Sequence, residues 1–560
     1  MWQALVSWSS TSWVVQTIEA VAAWLVGVFR GCWLATALVR EWDEHPQAYQ
    51  ESRIRAFSGG LYNALLNWQP LGTWWQGSWL LRTWPTWLAS DLTWLWENSG
   101  LSRLWSVYGR LVFADDWNQS GEVEASAPPL WRVVLYGLLM FSAALAVWKL
   151  SFGLLVAKLL IALVALLLLW ARPNWASFVV AVALPILPAL STTYLILWAF
   201  LASWLQGRIN RRGSLLLLLA GMLCLLLLLA ALDSSSVLVS LRYWCYYLTG
   251  IALVMLMMDA LRTERAVRQF LGVALLAGSL VALWGMVQYA LGTATNLSWV
   301  DIRYSAIKTR VVGTFDNPNM LAGYLVALLP FPLARMLQPD SSFRVRISNA
   351  LLSALLGLAL VLTFSRGGWL AAFAAALVLV FYLQPRLFWV APLIILVAPI
   401  VVPQVVWQRL ASIVNLQDTS NMVRLYIWNS SLQMFLHNWW LGIGLGLVPF
   451  AAIYPIYQYG IVPALHAHNL FLQVAVEGGI FSLICFILLS LGLWRAAVTR
   501  WQRIPWLATA SAAALIGHLT HGMFDYPWYD MRLLLTFWLI AGLILVGYRQ
   551  RSKQLAEDGK

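Results

Sequence analysis

The sequence predicts an all-α membrane protein that crosses the bilayer many times. Of its 560 residues, 61% are hydrophobic and 11% are charged, and the mean hydropathy is +0.73, far from the averages of soluble proteins. Its apolar segments continue for ~18–25 residues, whereas membrane β-strands are ~10 residues long and alternate. Because hydrocarbon offers no hydrogen bonds, such segments must satisfy their own backbone as helices. We therefore expect about 12–14 transmembrane helices.

Composition divides the chain into five parts. Residues 1–130 contain no apolar run long enough to span a bilayer, and seventeen of the 36 tryptophans fall within 1–131. Because the indole ring favours the membrane boundary, we predict interfacial amphipathic helices in this region. The remaining parts are a first transmembrane bundle over 131–405, an extracytoplasmic loop over 406–467, the last transmembrane helices over 468–548 and a cytoplasmic tail over 549–560.

About thirteen apolar windows supply the predicted spans. They are 131–150, 152–171, 175–204, 213–232, 236–259, 268–291, 319–338, 347–364, 367–384, 387–405, 468–494, 506–524 and 530–548. The window 175–204 contains Pro185 and Pro188, so it is either one kinked helix or a tight hairpin of two short helices.

Basic segments indicate the orientation of the spans. Clusters of Arg and Lys at 207–213, 262–268, 335–346, 495–503 and 548–553 fall on one side of successive windows, which the positive-inside rule makes the cytoplasm. The opposite face then carries 292–318, the turn at 365–368, the loop 406–467 and 525–532. The net charge of +13 follows from this topology and gives no reason to expect a nucleic acid partner. The four scattered cysteines have no metal-binding spacing and predict no disulfide framework.

The loop 406–467 is long enough to indicate a functional segment. Apolar residues recur in it at helical spacing and predict an amphipathic helix on the membrane that carries Arg424 near its start. These residues are Met422, Leu425, Trp428, Leu432 and Phe435. The GIGLGLV that follows is no nucleotide loop, because no strand precedes it and no Lys-Ser/Thr follows it.

Four polar elements share the predicted outer face. They are TRVVGTFDNPNMLAGYL with Arg310, Asn317 and Asn319; FSRGGWLA with Arg366; the loop helix with Arg424; and HAHN with His466, His468 and Asn469. Each also has a purely structural interpretation: Asn-Pro-Asn begins a helix, Arg366 caps a span, Arg424 meets lipid headgroups and the histidines are interfacial polar groups. Their coincidence on one face favours a chemical site.

The residue types suit transfer from a lipid diphosphate. The planar fork of Arg pairs with two phosphate oxygens and never deprotonates, which fits Arg310, Arg366 and Arg424 for an anionic leaving group. Neutral imidazole suits the removal of a proton from an acceptor hydroxyl. His468 is the preferred base because it stands at the start of an apolar helix, where the neutral form is favoured, and His466 is its support.

The order of these motifs resembles the O-antigen ligase family over roughly residues 260–550. GTFDNPNMLAGYL, SRGGWLA, a loop with Arg and G-x-G-x-G, HNLFLQVAVEGG and HGMFDYPWYDMR follow one another. The resemblance implies an enzyme of the bacterial inner membrane that moves a glycan from undecaprenyl diphosphate to a lipid or glycan acceptor on the outer face. It implies no metal and no cofactor, and its partners are the lipid-linked donor, the acceptor and membrane lipids.

The resemblance also implies roles for individual residues. His468 corresponds to the catalytic histidine, followed by Asn469 and, after nine residues, Gly479. Arg366 and Arg424 correspond to the diphosphate-binding arginines. Arg310, Asn317, Asn319 and Asn469 are further substrate-binding candidates.

Alternatives to a ligase remain open at this point. The same superfamily includes polysaccharide polymerases, and LSWVD, SRGGWL and QVAVEGG are similar to a cyanobacterial branch named as bicarbonate transporters. That branch does not retain the counterpart of His468, which favours an enzyme here. A small-anion transporter predicts ionisable residues at mid-membrane depth and inverted repeats, and the polar groups instead gather at one surface. A scaffold that recruits partners through residues 1–130 is the third alternative.

Overall fold

The computed structural model describes residues 100–113, 163–206, 209, 215–292, 309–390, 403–413, 419–460, 462–500 and 505–558. Within 163–206, residues 164, 167 and 171 are not described. The chain divides into two compact units, and the described residues except Leu215 lie in the one formed by Thr83–Arg211 and Leu216–Lys560. Most of the Trp-rich region, the window 131–150, most of 152–171 and Cys32 therefore lie outside the described residues.

Every regular element in the described ranges is helical, which confirms the all-α class. The α-helices are α1 Gly100–Phe113, α2 Ala176–Ile186, α3 Ala189–Leu205, α4 Leu215–Leu232, α5 Val237–Ala260, α6 Glu264–Ala290, α7 Pro318–Leu328, α8 Pro330–Leu337, α9 Phe343–Leu362, α10 Arg366–Leu383, α11 Gln404–Ala411, α12 Thr419–His437, α13 Leu447–Tyr457, α14 Leu470–Arg500, α15 Pro505–Phe524 and α16 Met531–Asp558. Short 3₁₀ turns lie at Pro173–Trp175, Pro385–Val390 and Pro527–Tyr529.

Seven helices in the described part are long and apolar enough to cross a membrane, if α7 and α8 are counted as one span. They are α4, α5, α6, α7 with α8, α9, α10 and α14. Four further helices are apolar but shorter, among them α2 and α3. The chain is thus a multi-pass membrane protein, and the count of 12–14 spans stays a prediction because several windows lie outside the described residues.

The two prolines of window 175–204 divide it into two short helices. α2 ends at Ile186, Leu187 is extended, and α3 begins after Pro188. Proline lacks the N–H that a continuous helix needs and disfavours helical geometry in the residue before it. The single kinked helix is therefore the alternative that the structure rejects.

Small residues bring α15 against its neighbours. A Cβ added at Gly517 would approach Val326 of α7 to 2.7 Å and Ala375 of α10 to 3.3 Å, and Ala512, Ala513 and Ala514 are fully buried. Helices in lipid gain little from hydrophobicity, so close backbone approach supplies much of their attraction. This packing fixes the C-terminal end of α15 beside the N-terminal ends of α7 and α10.

The predicted loop helix is present as α12, but its faces differ from the prediction. Ile427, Ser430 and Met434 are buried, whereas Leu425 and Leu432 are exposed. The predicted apolar stripe is therefore shared between the protein interior and an outward face that also carries Asn429 and Gln433. Periodicity located the helix, but the tertiary contacts decided which face is covered.

α14 is broken at Gly479, whose backbone has φ 72° and ψ −174°. The GIGLG segment restores the lost hydrogen bonds: the N–H groups of Ile443 and Gly444 donate to the carbonyls of Val476 and Glu477, and Ile480 donates to the carbonyl of Trp439. A Cβ at Gly479 would lie 2.2 Å from the Trp439–Trp440 backbone, at the oxygen of Trp440. The paired glycines thus mark close packing and also a helix break that the sequence analysis did not predict.

Glu477 is a buried carboxyl inside α14 and corrects the expectation that polar groups gather only at one surface. Its carboxylate accepts from the N–H of Gly446 at 3.0 Å, from Gln473 at 2.9 Å and from the hydroxyl of Tyr526 at 3.4 Å. Gln473 in turn accepts from the N–H of Ala467 at 2.6 Å. Because buried polar groups need partners, this network ties the histidine-bearing turn to the G-x-G-x-G segment.

Candidate functional site

The four predicted polar elements meet at one end of the helices. The side chain of Asn319 at the start of α7 contacts Asp525 after α15, and Asp525 contacts His468 before α14. Trp428 of α12 donates its indole N–H to the carbonyl of His468 at 3.3 Å. The beginnings of α7 and α14 and the loop helix therefore surround one location. Exposed N–H groups and the helix dipole make helix N-termini favourable for anions.

His468 and Asp525 form the central pair of the site. Nδ1 of His468 lies 3.1 Å from Oδ1 of Asp525, and the side chains are 34% and 6% exposed, respectively. A carboxylate accepts only, so Nδ1 carries the proton and Nε2 is left as an acceptor. The one-third exposure of the imidazole leaves it open to a substrate. The arrangement is that of a base oriented by a buried acid.

The backbone of His468 is unusual, with φ 47°. Left-handed backbone is uncommon outside glycine but is enriched in His, Asn and Asp. The next residue, Asn469, caps α14 by accepting from the N–H of Leu472 at 3.0 Å, and it donates to the carbonyl of Met523 at 3.1 Å. Asn469 therefore holds the turn that presents His468, and both ends of its side chain are engaged.

Asp525 stays ionised although it is buried. Burial alone would raise its pKa, but the hydrogen bond and charge of His468 and the charge of Arg424 outweigh this, so the pKa is below its usual range. Oδ1 also accepts from the N–H of Tyr526 at 2.8 Å, and Oδ2 accepts from Asn319 at 3.0 Å. Three donors thus hold the carboxylate in one orientation beside the imidazole.

His466 lies next to His468 and contacts its backbone. Its ring stacks on Tyr529 with centroids 5.1 Å apart, and its Nδ1 accepts from the backbone N–H of His468 at 3.3 Å. Burial, and then the charges of His468 and Arg424, lower the pKa of His466 to about 3. The ring is therefore neutral at physiological pH, which agrees with its expected role as a neighbour of the base.

The Asn-Pro-Asn motif begins α7, as the structural interpretation predicted. Asn317 is the N-cap and accepts from the N–H of Asn319 at 2.8 Å, and its amide also donates to the hydroxyl of Tyr529. Asn319 accepts from Arg310 at 3.1 Å through Oδ1 and donates to Asp525 through Nδ2. Asn317 thus acts in capping, whereas Asn319 connects an arginine to the acid of the central pair.

Arg310 is anchored beside this connection. Its Nε donates to the carbonyl of Thr363 at 2.7 Å. Burial, and after it the charges of Arg409, Arg366 and Arg424, lower the pKa of Arg310 to about 9, while the charge of Asp525 acts in the opposite direction. Three further arginines therefore lie within electrostatic reach of Arg310, an arrangement that an anionic ligand would stabilise.

Arg366 is the first residue of α10, where Ser365 rather than Arg366 caps the helix by accepting from the N–H of Gly368. Arg366 is 6% exposed. It donates to the carbonyl and hydroxyl of Ser412 at 2.9 and 3.0 Å and to the hydroxyl of Ser420 at 2.7 Å. Arg366 thus joins α10 to the end of α11 and the start of α12.

Arg424 lies on the first half of α12, as predicted, and is half-buried. Its charge contributes to the lowered pKa values of Asp525, His466 and Arg310. α12 therefore brings a cation to the central pair.

His466, His468 and Asp525 also place three potential metal-ligating atoms within 4.8 Å of one another. A dication there would share the space with the charges of Arg424 and Arg310, and Asp525 already accepts from three donors. The side chains of His466, His468 and Asp525 therefore suit proton transfer beside an anion better than they suit metal binding.

The sequence located most of the site but missed two of its members. It brought together Arg310, Asn319, Arg366, Arg424 and His468, whose proximity the structure confirms. It assigned no role to Asp525 or Arg409, although each is a charged residue at the edge of an apolar segment, which is a signal for function in membrane proteins.

Residues 351–487 match the family model described as O-antigen ligase. A search of curated proteins found no match to this chain. The matched segment begins inside α9 and ends inside α14, so it contains Arg366, Arg409, Arg424 and His468. Arg310, Asn319 and Asp525 lie outside it.

Proposed function

We propose that this membrane protein transfers a glycan from undecaprenyl diphosphate to an acceptor hydroxyl, a reaction supported by the match of residues 351–487 to the O-antigen ligase family model. The reaction is placed at the outer face of the bacterial inner membrane, and the donor, the acceptor and surrounding lipids are the partners. The observation that carries the proposal is the His468–Asp525 pair beside a group of arginines.

The proposed chemistry is a displacement at the sugar carbon bonded to phosphate. Nε2 of His468 takes the proton of the acceptor hydroxyl as its oxygen bonds to this carbon. The bond from the carbon to the phosphate oxygen breaks, and its electron pair stays on polyprenyl diphosphate. The buried carboxylate of Asp525 stabilises the imidazolium that forms. The positive charges of Arg310, Arg366 and Arg424 stabilise the leaving group, which carries one more negative charge than the donor.

The test is transfer by purified, reconstituted protein given a polyprenyl-diphosphate-linked glycan and acceptor glycolipids. His468→Ala should stay folded in the membrane, with a lower melting temperature because buried Asp525 loses one of its three donors, and should lose about 10²–10⁴-fold in rate, the typical contribution of a general base. His437→Ala is a matched control, because His437 lies on the exposed end of α12. Full transfer by His468→Ala would refute the proposal.

A polymerase of the same superfamily would use the same donor and differ in its acceptor, so product length separates the two. An anion pathway, by contrast, has no need of an imidazole held by a buried acid. Uptake of labelled bicarbonate into vesicles that depended on Arg366 and not on His468 would favour transport over transfer.

A further inference from the structure

Arg409 is the one arginine of the site that carries no assigned role. It lies on α11, eight residues of helix that end in the turn at Ser412. Its Nε approaches the carbonyl of Phe364 at 3.5 Å, and Arg310 donates to the carbonyl of the preceding residue, Thr363. Two arginines from separate segments therefore lie against consecutive carbonyls of one turn.

Ser412 joins Arg409 to a second arginine. The hydroxyl of Ser412 donates to the carbonyl of Arg409 at 2.8 Å, and the same hydroxyl and its backbone carbonyl accept from Arg366. Arg366 is thus the anchor that holds the end of α11 against the start of α10. Arg409 is therefore connected to Arg310 through the turn at 363–364 and to Arg366 through Ser412.

The electrostatics agree with this placement. Among the charges that lower the pKa of Arg310, that of Arg409 is the largest, ahead of Arg366 and Arg424, and Asp525 is the acid that acts against them. Like charges held together in a partly desolvated place are costly unless an anion joins them. Diphosphate offers two anionic groups, and Arg is well suited to pair with phosphate oxygens.

The position relative to the base sets the direction of the ligand. Arg310 reaches His468 through Asn319 and Asp525, so the phosphate next to the sugar belongs near Arg310 and the central pair. Arg409 contacts the turn at 363–364 and is joined through Ser412 to Arg366, so the second phosphate of a diphosphate belongs near Arg409.

We propose that Arg409 is a fourth phosphate-binding arginine, held in place through Ser412 by Arg366, and that it receives the lipid-side phosphate of a polyprenyl diphosphate. This inference rests on the proposed donor. With Arg409 the site prefers diphosphate over monophosphate, because a monophosphate would engage only the arginines near the base.

The experiment measures the affinity of inorganic diphosphate and of inorganic phosphate for the purified full-length protein by calorimetry, over a range of salt. Arg409→Gln should weaken diphosphate about 10–100-fold, the range for losing a hydrogen bond to a charged group. It should also reduce the preference for diphosphate over phosphate and flatten the salt dependence. Arg344→Gln is the matched control, because Arg344 is exposed at the opposite end of α9 from the turn at 363–364.

A second variant distinguishes a loss of binding from a loss of folding. Arg409→Lys keeps the charge and loses the fork, so it should retain part of the diphosphate affinity and the full salt dependence. If Arg409 only braces the turn, Arg409→Gln would lower the melting temperature and leave diphosphate affinity within twofold of native, and that result overturns the inference.

Different results would contradict the role of Arg409 and the proposed donor. Loss of diphosphate binding in Arg366→Gln together with native binding in Arg409→Gln contradicts the role of Arg409 alone. Absence of diphosphate binding by the native protein contradicts the proposed donor as well.

Discussion

Replacing Asp525 with Asn tests the central pair most directly, since the substitution removes a charge and changes little volume. Oδ1 of Asp525 accepts from His468 and Tyr526, and Oδ2 accepts from Asn319. An amide has one oxygen and one donor group. If the amide oxygen keeps the hydrogen bonds from His468 and Tyr526, the new NH₂ faces the NH₂ of Asn319. The oxygen of Asn319 already accepts from Arg310. If the amide is reversed, the NH₂ faces two donors.

No orientation of the new amide therefore satisfies all three partners, and the carboxylate that stabilises an imidazolium is lost. Removing a hydrogen bond to a charged group costs about 1.5–3 kcal/mol, or about 10–150-fold. Loss of the oriented base approaches about 10⁴-fold where the tautomer also changes. We expect the rate of glycan transfer by Asp525→Asn to fall within this span, with binding of inorganic diphosphate little changed.

Asn319→Asp combined with Asp525→Asn separates geometry from charge. The carboxylate introduced at position 319 would accept from Arg310 and from the new amide, and the amide at position 525 would keep its oxygen toward His468 and Tyr526, so every donor again meets an acceptor. The double variant should recover the melting temperature lost by Asp525→Asn and still transfer slowly, because the charge no longer lies next to the imidazole. Asp316→Asn is the control, because Asp316 is exposed and its φ of 57° suits Asn. A native rate in Asp525→Asn would refute the reasoning.

Two further predictions concern stability. The pKa of His466 is lowered to about 3 in the folded protein and is about 6.5 in the unfolded chain. Between these values the unfolded chain binds one more proton, so the stability of the fold should fall as the pH drops from about 6.5 toward 3. His466→Asn should reduce this fall in melting curves measured in detergent, and an unchanged acid profile would contradict the assignment. Gly479→Ala should cost about 3 kcal/mol or more, because its backbone conformation is open almost only to glycine and the Cβ would meet the oxygen of Trp440. Gly357→Ala, at a helical position with nothing within 4 Å, should leave the melting temperature unchanged or slightly raised, and equal losses in the two variants would show that the break needs no glycine.

The sequence predicted the helices well because each depends on a continuous run of apolar residues. It also predicted the start of α7, since Asn-Pro-Asn combines an N-cap with proline at the first helical position. It could not predict that α14 breaks, because the run from Leu470 is apolar on both sides of Gly479. The break depends on hydrogen bonds from a segment more than thirty residues earlier in the chain.

The site was predicted as a group of residue types on one face, and its internal connections were not. Asp525 lies 57 residues from His468, and no local pattern pairs them. Arg409 was missed because α11 is short and polar and follows a predicted span, so its arginine resembled an interfacial residue. Topology placed the elements on one face, whereas helix packing decided which side chains touch.

The break in α14 also constrains how the protein assembles. Its unpaired carbonyls at Val476 and Glu477 are satisfied by Ile443 and Gly444, which leave the ribosome before α14 does. Buried backbone groups without a partner are costly, so the break in α14 is stable only when residues 439–446 are in place. These residues and α14 must therefore fold together, and the turn bearing His468 is complete only after they have paired.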